Sequence, residues 1–232
     1  MIVVVGSPIA EPVGPAIRAG GLGADIARRA TAAGAAVQIV GRVGEDAAGD
    51  QVLLSLAAAG IGHVAVLREP GRPTPAAPPI AGASASPDGP ALGEQLLEDD
   101  PISDADHAAG APAADGEPAG LSVDAADLEL ALRYVPDYRV LVVAADLDPP
   151  ALGAVVAAAS WSGAHVIGLL ADGSPTTQLP DGATAFLRPA SDPDGAFATM
   201  VAGYAVAIDQ GEEPRSAFAA AQHSGGWASV AD

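Results

Sequence analysis

Short aliphatic runs alternate with longer amphipathic stretches along most of the chain, and that alternation sets the first expectations. Ile2 to Val5 (IVVV) is apolar without interruption, the pattern of a strand buried on both faces. Gly23 to Ala33 reads as an Ala-rich helix, Val37 to Val40 as a strand, Asp46 to Ala59 as a helix and His63 to Leu67 as a third strand. The alternation resumes at Ser122, a candidate N-cap for a helix through Tyr134. Arg139 to Ala144 (RVLVVA) then predicts a buried strand, Pro150 to Ser162 a helix, His165 to Leu170 a strand and Ala183 to Leu187 a short one. Two helices, about Gly195 to Gln210 and Pro214 to Ala228, close the chain. Sequential βα units with right-handed crossovers imply an α/β fold, a three-layer doubly wound and mostly parallel sheet.

Between about residues 76 and 120 the pattern lapses. Stretches such as IAGASASPDGP and HAAGAPAADGEPAG hold Pro, Gly, Ala, Ser and Asp but little that could be buried. The expectation is one domain over residues 1 to 232, carrying a low-complexity excursion at about 76 to 120. Its acidic run Glu98-Asp99-Asp100 reads as a solvated charge run rather than a metal site.

Composition changes the picture mainly by what is missing. The 232 residues include no Cys, no Lys and no Asn, and all ten basic residues are Arg. Disulfides, thiolate nucleophiles, Cys-ligated zinc, a phosphate-loop lysine and a Schiff-base lysine are thereby excluded. A formal charge of −19 repels nucleic-acid phosphates and anionic membrane surfaces, so neither is an expected partner. No apolar run approaches the ~20 residues that span a bilayer, and Met1 to Gly6 reads as a strand rather than a signal peptide. The expected location is cytoplasmic. His63, His107, His165 and His223 show no mutual ligand spacing, so no metal site is expected.

Four linked elements carry a resemblance. Gly20-Gly-Leu-Gly-Ala-Asp-Ile-Ala27 is followed by Gly41-Arg-Val-Gly-Glu-Asp-Ala-Ala-Gly49, then Gly60-Ile61, then Pro73-Thr74. Asp192-Pro-Asp-Gly-Ala-Phe-Ala-Thr-Met-Val-Ala-Gly-Tyr204 adds a glycine-bearing helix start near the C-terminus. In this order and spacing they resemble the ribokinase-like (PfkB) carbohydrate kinases. The resemblance implies ATP- and Mg2+-dependent phosphoryl transfer to a carbohydrate or nucleoside hydroxyl. It also implies Glu11, Gly20, Gly21 and Asp25 as substrate-binding positions, and the backbone at Gly195, Ala196 and Phe197 as an anion hole.

Several positions depart from the family pattern. The catalytic base position is Ala198, which cannot accept a proton. Phe197 replaces a glycine, so a side chain is expected where phosphate needs close backbone approach. Without Asn there is no N-x-x-E motif to organise magnesium. Asp192 and Asp194 are the remaining acids near the helix start, and N-terminal capping is the expected role for both. With only eight residues between Glu11 and Gly20, no lid strands are expected there. Two readings follow: a sugar kinase homologue whose activity is weak or lost, or a non-catalytic pseudokinase that binds a small ligand or serves as a partner or scaffold subunit. A monomer and a homodimer both stay open.

Overall fold

Four consecutive aliphatic residues cannot leave either face of a strand in water. The chain places Ile2–Val5 (β1) in the middle of a six-stranded sheet with all four side chains fully buried. The computed structural model describes residues 1–78, 120–135, 137–171 and 179–224. The Glu98 to Asp100 run, His107, Trp227 and nearly all of the low-complexity stretch lie outside them, as does the side chain of His223.

After β1 come β2 (Ile9–Val13), β3 (Ala16–Gly20), α1 (Leu22–Ala32), β4 (Val37–Gly44), α2 (Ala47–Ala58) and β5 (Gly62–Glu69). Beyond the low-complexity stretch follow α3 (Ala125–Tyr134), β6 (Val140–Val143), α4 (Pro149–Ser162), β7 (His165–Leu170), β8 (Thr184–Leu187), α5 (Ala196–Asp209) and α6 (Pro214–Ser224). The sheet order is β5-β4-β1-β6-β7-β8 and every ladder is parallel. Winding reverses between β1 and β6, as a doubly wound sheet requires. Alternate residues of β1 divide between two cores. Ile2 and Val4 pack with α1, α2, α5 and α6, whereas Val3 and Val5 pack with α3 and α4.

The hairpin β2–β3 corrects the expectation that no lid strands fit between Glu11 and Gly20. These strands pair antiparallel from Ile9↔Gly20 to Val13↔Ala16, which leaves Gly14-Pro15 as a two-residue loop. Gly14 has φ 59°, the positive value a hairpin turn requires at its first loop position, and Pro15 supplies the negative φ that follows. A two-residue turn needs no further length, so the eight intervening residues suffice. The helix start at residue 122 is also corrected. Asp124, not Ser122, caps α3, because its carboxylate accepts a hydrogen bond from Asp127 N–H at 2.9 Å.

The rim at the C-terminal ends of the strands is drawn together by polar contacts. Ser7 Oγ accepts from Arg42 N–H at 2.8 Å and donates to the Leu121 carbonyl at 2.5 Å. Ala10 N–H donates to the Pro75 carbonyl, and Ala77 N–H donates to the Ala10 carbonyl, both at 2.8 Å. Arg42 forms ion pairs with Glu69, Asp124 and Asp127. On the two sides of the low-complexity stretch, residues 75–77 are therefore fastened to β2 and residue 121 to Ser7 in the loop after β1.

Candidate functional site

In a doubly wound sheet the crevice beyond the strand ends, at the point where winding reverses, is where ligands bind. Here it lies between β1 and β6, and α1 begins directly over it. A Cβ added at Gly23 would lie 3.5 Å from Ala144 Cβ and Val4 Cγ1, in ordinary van der Waals contact, so the first turn of α1 packs directly on the residues at the ends of β1 and β6. The sequence-derived candidates come from the hairpin, the start of α1 and the start of α5, and the acids Glu11, Asp25 and Asp192 are each engaged from within the chain.

Glu11 stands on β2 opposite Arg18 on β3. Its Oε2 accepts from Arg18 Nη2 at 2.7 Å and from Nε at 3.1 Å, a charge-assisted pair held by the hairpin register. The room left by the missing side chain of Gly20 is used by Glu11 as well, since a Cβ there would lie 2.8 Å from Glu11 Cβ and 3.0 Å from Oε2. Gly21, at φ 92°, is the N-cap of α1 and has no side chain to close the helix end. Asp25 pairs with Arg28 Nη1 at 2.6 Å, while Arg28 Nη2 donates to the Ala19 carbonyl at 2.7 Å. One arginine thus joins α1 to β3 and occupies the acid on that helix.

The start of α5 shows the same economy. Gly195 takes the left-handed conformation, φ 65°, as N-cap. The Asp192 carboxylate then folds back over the helix end: Oδ1 accepts from Phe197 N–H at 3.0 Å and Oδ2 from Ala198 N–H at 2.9 Å. A carboxylate at this place satisfies orphan donors and meets the positive end of the helix dipole. Asp194 is exposed and forms no part of this contact. Arg29, from α1, lies with Nη2 against Gly195, so close that a Cβ there would be 1.8 Å away. Its Nε is buried and has no hydrogen-bond partner among the described residues. Arg29 was not legible in sequence, because its role depends on α1 packing on α5.

No family model and no curated protein sequence matches the chain. Solved structures do. Ribokinase from Arabidopsis thaliana, complexed with ribose and ATP, superposes with a TM-score of 0.59 at 17% identity, covering 97% of this chain and 90% of that one. Phosphofructokinase-2 from Escherichia coli, in complex with fructose-6-phosphate, gives 0.58 at 13% identity over 98% and 93% of the two chains. A PfkB protein from a Polaromonas species gives 0.57 at 16% identity over 97% and 94%. The chain has the ribokinase-like fold.

Against a ribokinase-like frame the candidates can be tested for ATP and Mg2+. Of the expected anion-hole positions Gly195, Ala196 and Phe197, Gly195 N–H donates to the Asp192 carbonyl and Phe197 N–H to the Asp192 carboxylate, which also takes the N–H of Ala198. Phe197 needs a correction. Its side chain is 3% exposed and sits in the core among α1, α5 and α6, so it does not stand in phosphate space. The aromatic ring turns inward because α5 packs its first turn on the sheet, and the obstruction comes from Asp192 instead. Among the described residues no group of three His, Asp or Glu side chains is placed to hold a metal ion. In this conformation the Asp192 carboxylate occupies the place at the start of α5 where a phosphate would meet the N–H groups of Phe197 and Ala198.

Outside the rim, Asp46 accepts from Thr74 N–H at 2.8 Å, Thr74 Oγ1 at 2.6 Å and Gly49 N–H at 2.7 Å. The Thr74 hydroxyl, above all, holds the Asp46 carboxyl below its ordinary pKa. The resemblance-bearing Gly41 to Gly49 turn and the Pro73-Thr74 pair thus form one structural knot. On the far side of the sheet His165 Nε2 lies 2.9 Å from Thr184 Oγ1, which lies 2.7 Å from Tyr204 Oη. Burial pushes the His165 pKa down. Among the described residues no helix is long and apolar enough to cross a membrane.

Proposed function

We propose that this chain is a non-catalytic pseudokinase: a ribokinase-like protein that has given up phosphoryl transfer and acts as a partner or scaffold subunit. The observation that carries this reading is the Asp192 carboxylate seated on the N–H groups of Phe197 and Ala198. Transfer needs those donors free for the developing phosphate charge and a base within reach of the acceptor hydroxyl. Here the Asp192 carboxylate takes Phe197 N–H, one of the anion-hole positions, together with Ala198 N–H, and the base position is Ala198 itself, buried at the helix start. Glu11 and Asp25, which would orient a sugar, each hold an arginine.

A second reading has its own support. Glu11 and Asp25 remain acids beside Gly20-Gly21, and the solved neighbours are bound to ribose and to fructose-6-phosphate. A polyol or nucleoside hydroxyl would then compete with Arg18 or Arg28 for a carboxylate oxygen.

Calorimetric titration of the whole chain with Mg·ATP, followed by pentoses, hexoses and nucleosides, separates the two. The pseudokinase reading expects no nucleotide binding at millimolar concentration and no sugar-dependent release of ADP. Saturable nucleotide binding together with turnover on any of these sugars would sink it. Binding of a sugar or nucleoside alone would favour the second reading.

A further inference from the structure

The helix α4 is the anomaly on the surface. A surface helix usually turns charged residues to water, yet α4 has none in its 14 residues. In a chain of net charge −19, its exposed residues are Pro149 and Pro150 at the start, then Gly153, Ala157, Ser160, Trp161 and Ser162. Trp161 is 93% exposed, and Tyr134 on the neighbouring α3 is 71% exposed. A ring as large as that of Trp161, left in water at the edge of an apolar groove, marks an interaction surface. Beside Trp161, α3 and α4 enclose a groove of about 740 Å3, lined by Leu132, Val135, Tyr138, Ala154 and Ala158.

The same patch therefore offers both a knob and a hole, which is what an isologous contact needs. Its charges are also self-complementary. Glu129, Arg133 and Asp137 line the groove at steps of four residues, in the order negative, positive, negative. None of the three forms an ion pair among the described residues. A two-fold axis crossing α3 between positions 129 and 133 sets Arg133 opposite Glu129 of a second copy, and Glu129 opposite its Arg133.

We infer that the α3–α4 face is the interface of a homodimer, with Trp161 of each copy seated in the groove of the other. The inference holds whether or not the chain transfers phosphate. Sedimentation equilibrium on the full chain tests it at micromolar concentrations. The expected result is a dimer whose dissociation constant rises about thirtyfold or more in Trp161→Glu, the loss typical of a hot-spot tryptophan. Because Trp161 lies in water within one copy, the variant keeps the wild-type circular dichroism and melting cooperativity. Glu129→Arg also weakens the dimer, by setting two arginines opposite each other, and adding Arg133→Glu to it restores association. A monomeric wild type overturns the inference. So does a dimer that Trp161→Glu leaves intact, or a charge swap that fails to recover what Glu129→Arg loses.

Discussion

An aspartate that accepts two helix-terminal N–H groups does for α5 what a bound phosphate would do, and it is always present. That makes Asp192 a stabilising residue as well as an obstacle. Its replacement by Ala leaves the donors of Phe197 and Ala198 without their partner and should lower stability by about 1 kcal/mol. The same variant exposes an anion site, so sulfate or phosphate should raise its melting temperature more than that of the wild type. Thermal melts of both proteins across a sulfate series would show this, and equal shifts would mean that the helix end is closed by something else. At Asp46 the expectation is similar. Asp46→Ala removes the acceptor for Thr74 and Gly49 and the cap of α2, at a cost of about 1–2 kcal/mol in urea unfolding. Because its pKa is depressed in the fold, the stabilisation from Asp46 is present above its ordinary value of 3.8 and is lost as pH falls through the lower folded value. The Asp46→Ala deficit should therefore be full at neutral pH and shrink in acid.

The elements show where sequence reasoning reached and where it stopped. Unbroken aliphatic runs such as Ile2–Val5 and Val140–Val143 can only be central strands, so the sheet was legible from them. The hairpin was not. Ile9–Val13 and Ala16–Gly20 contain Pro12, the terminal Gly20 and the charged Glu11 and Arg18, and their pairing depends on the turn at Gly14-Pro15. Glu11 and Asp25 could be named as acids in the right place, but the pairing of Glu11 with Arg18 could not, since it depends on cross-strand register. Arg28 stands one turn from Asp25 on α1, a spacing the sequence shows, yet its bond to the Ala19 carbonyl depends on how α1 abuts β3. At the start of α5, Gly195 was readable as a glycine retained for its backbone, although Arg29 packed against it was not. Gly195→Ala is expected to cost about 1–2 kcal/mol from the left-handed backbone alone, and more because Cβ would collide with the Arg29 guanidinium. Urea unfolding of the variant checks the first part. Combining it with Arg29→Ala should recover the excess and leave the backbone cost.

At the scale of the whole molecule, the sheet ends on one side at β8, a four-residue edge strand paired only with β7. Its residues are held inward by Phe186, which meets the Tyr204 ring edge-on at 5.4 Å between centroids, and by the Thr184 hydroxyl between His165 and Tyr204. From β8 the chain runs on through Arg188, paired with Asp146, to the turn that carries Asp192. The far edge of the sheet and the closed helix end are thus consecutive parts of one segment. Burial makes the neutral imidazole of His165 the favoured form in the fold, so its pKa lies below the ordinary 6.5. The unfolded chain then binds the proton first as pH falls, and stability drops from about 6.5 downward by at most ~1.4 kcal/mol per pH unit for this one group, levelling off below the folded pKa. The comparison that isolates His165 is the wild type against His165→Gln. Urea midpoints from pH 8 to pH 5 should fall more steeply for the wild type, with the two curves converging in acid. Parallel curves would show that His165 ionises alike in the folded and unfolded chain, and that β8 is held by Phe186 and its ladder without help from the buried imidazole.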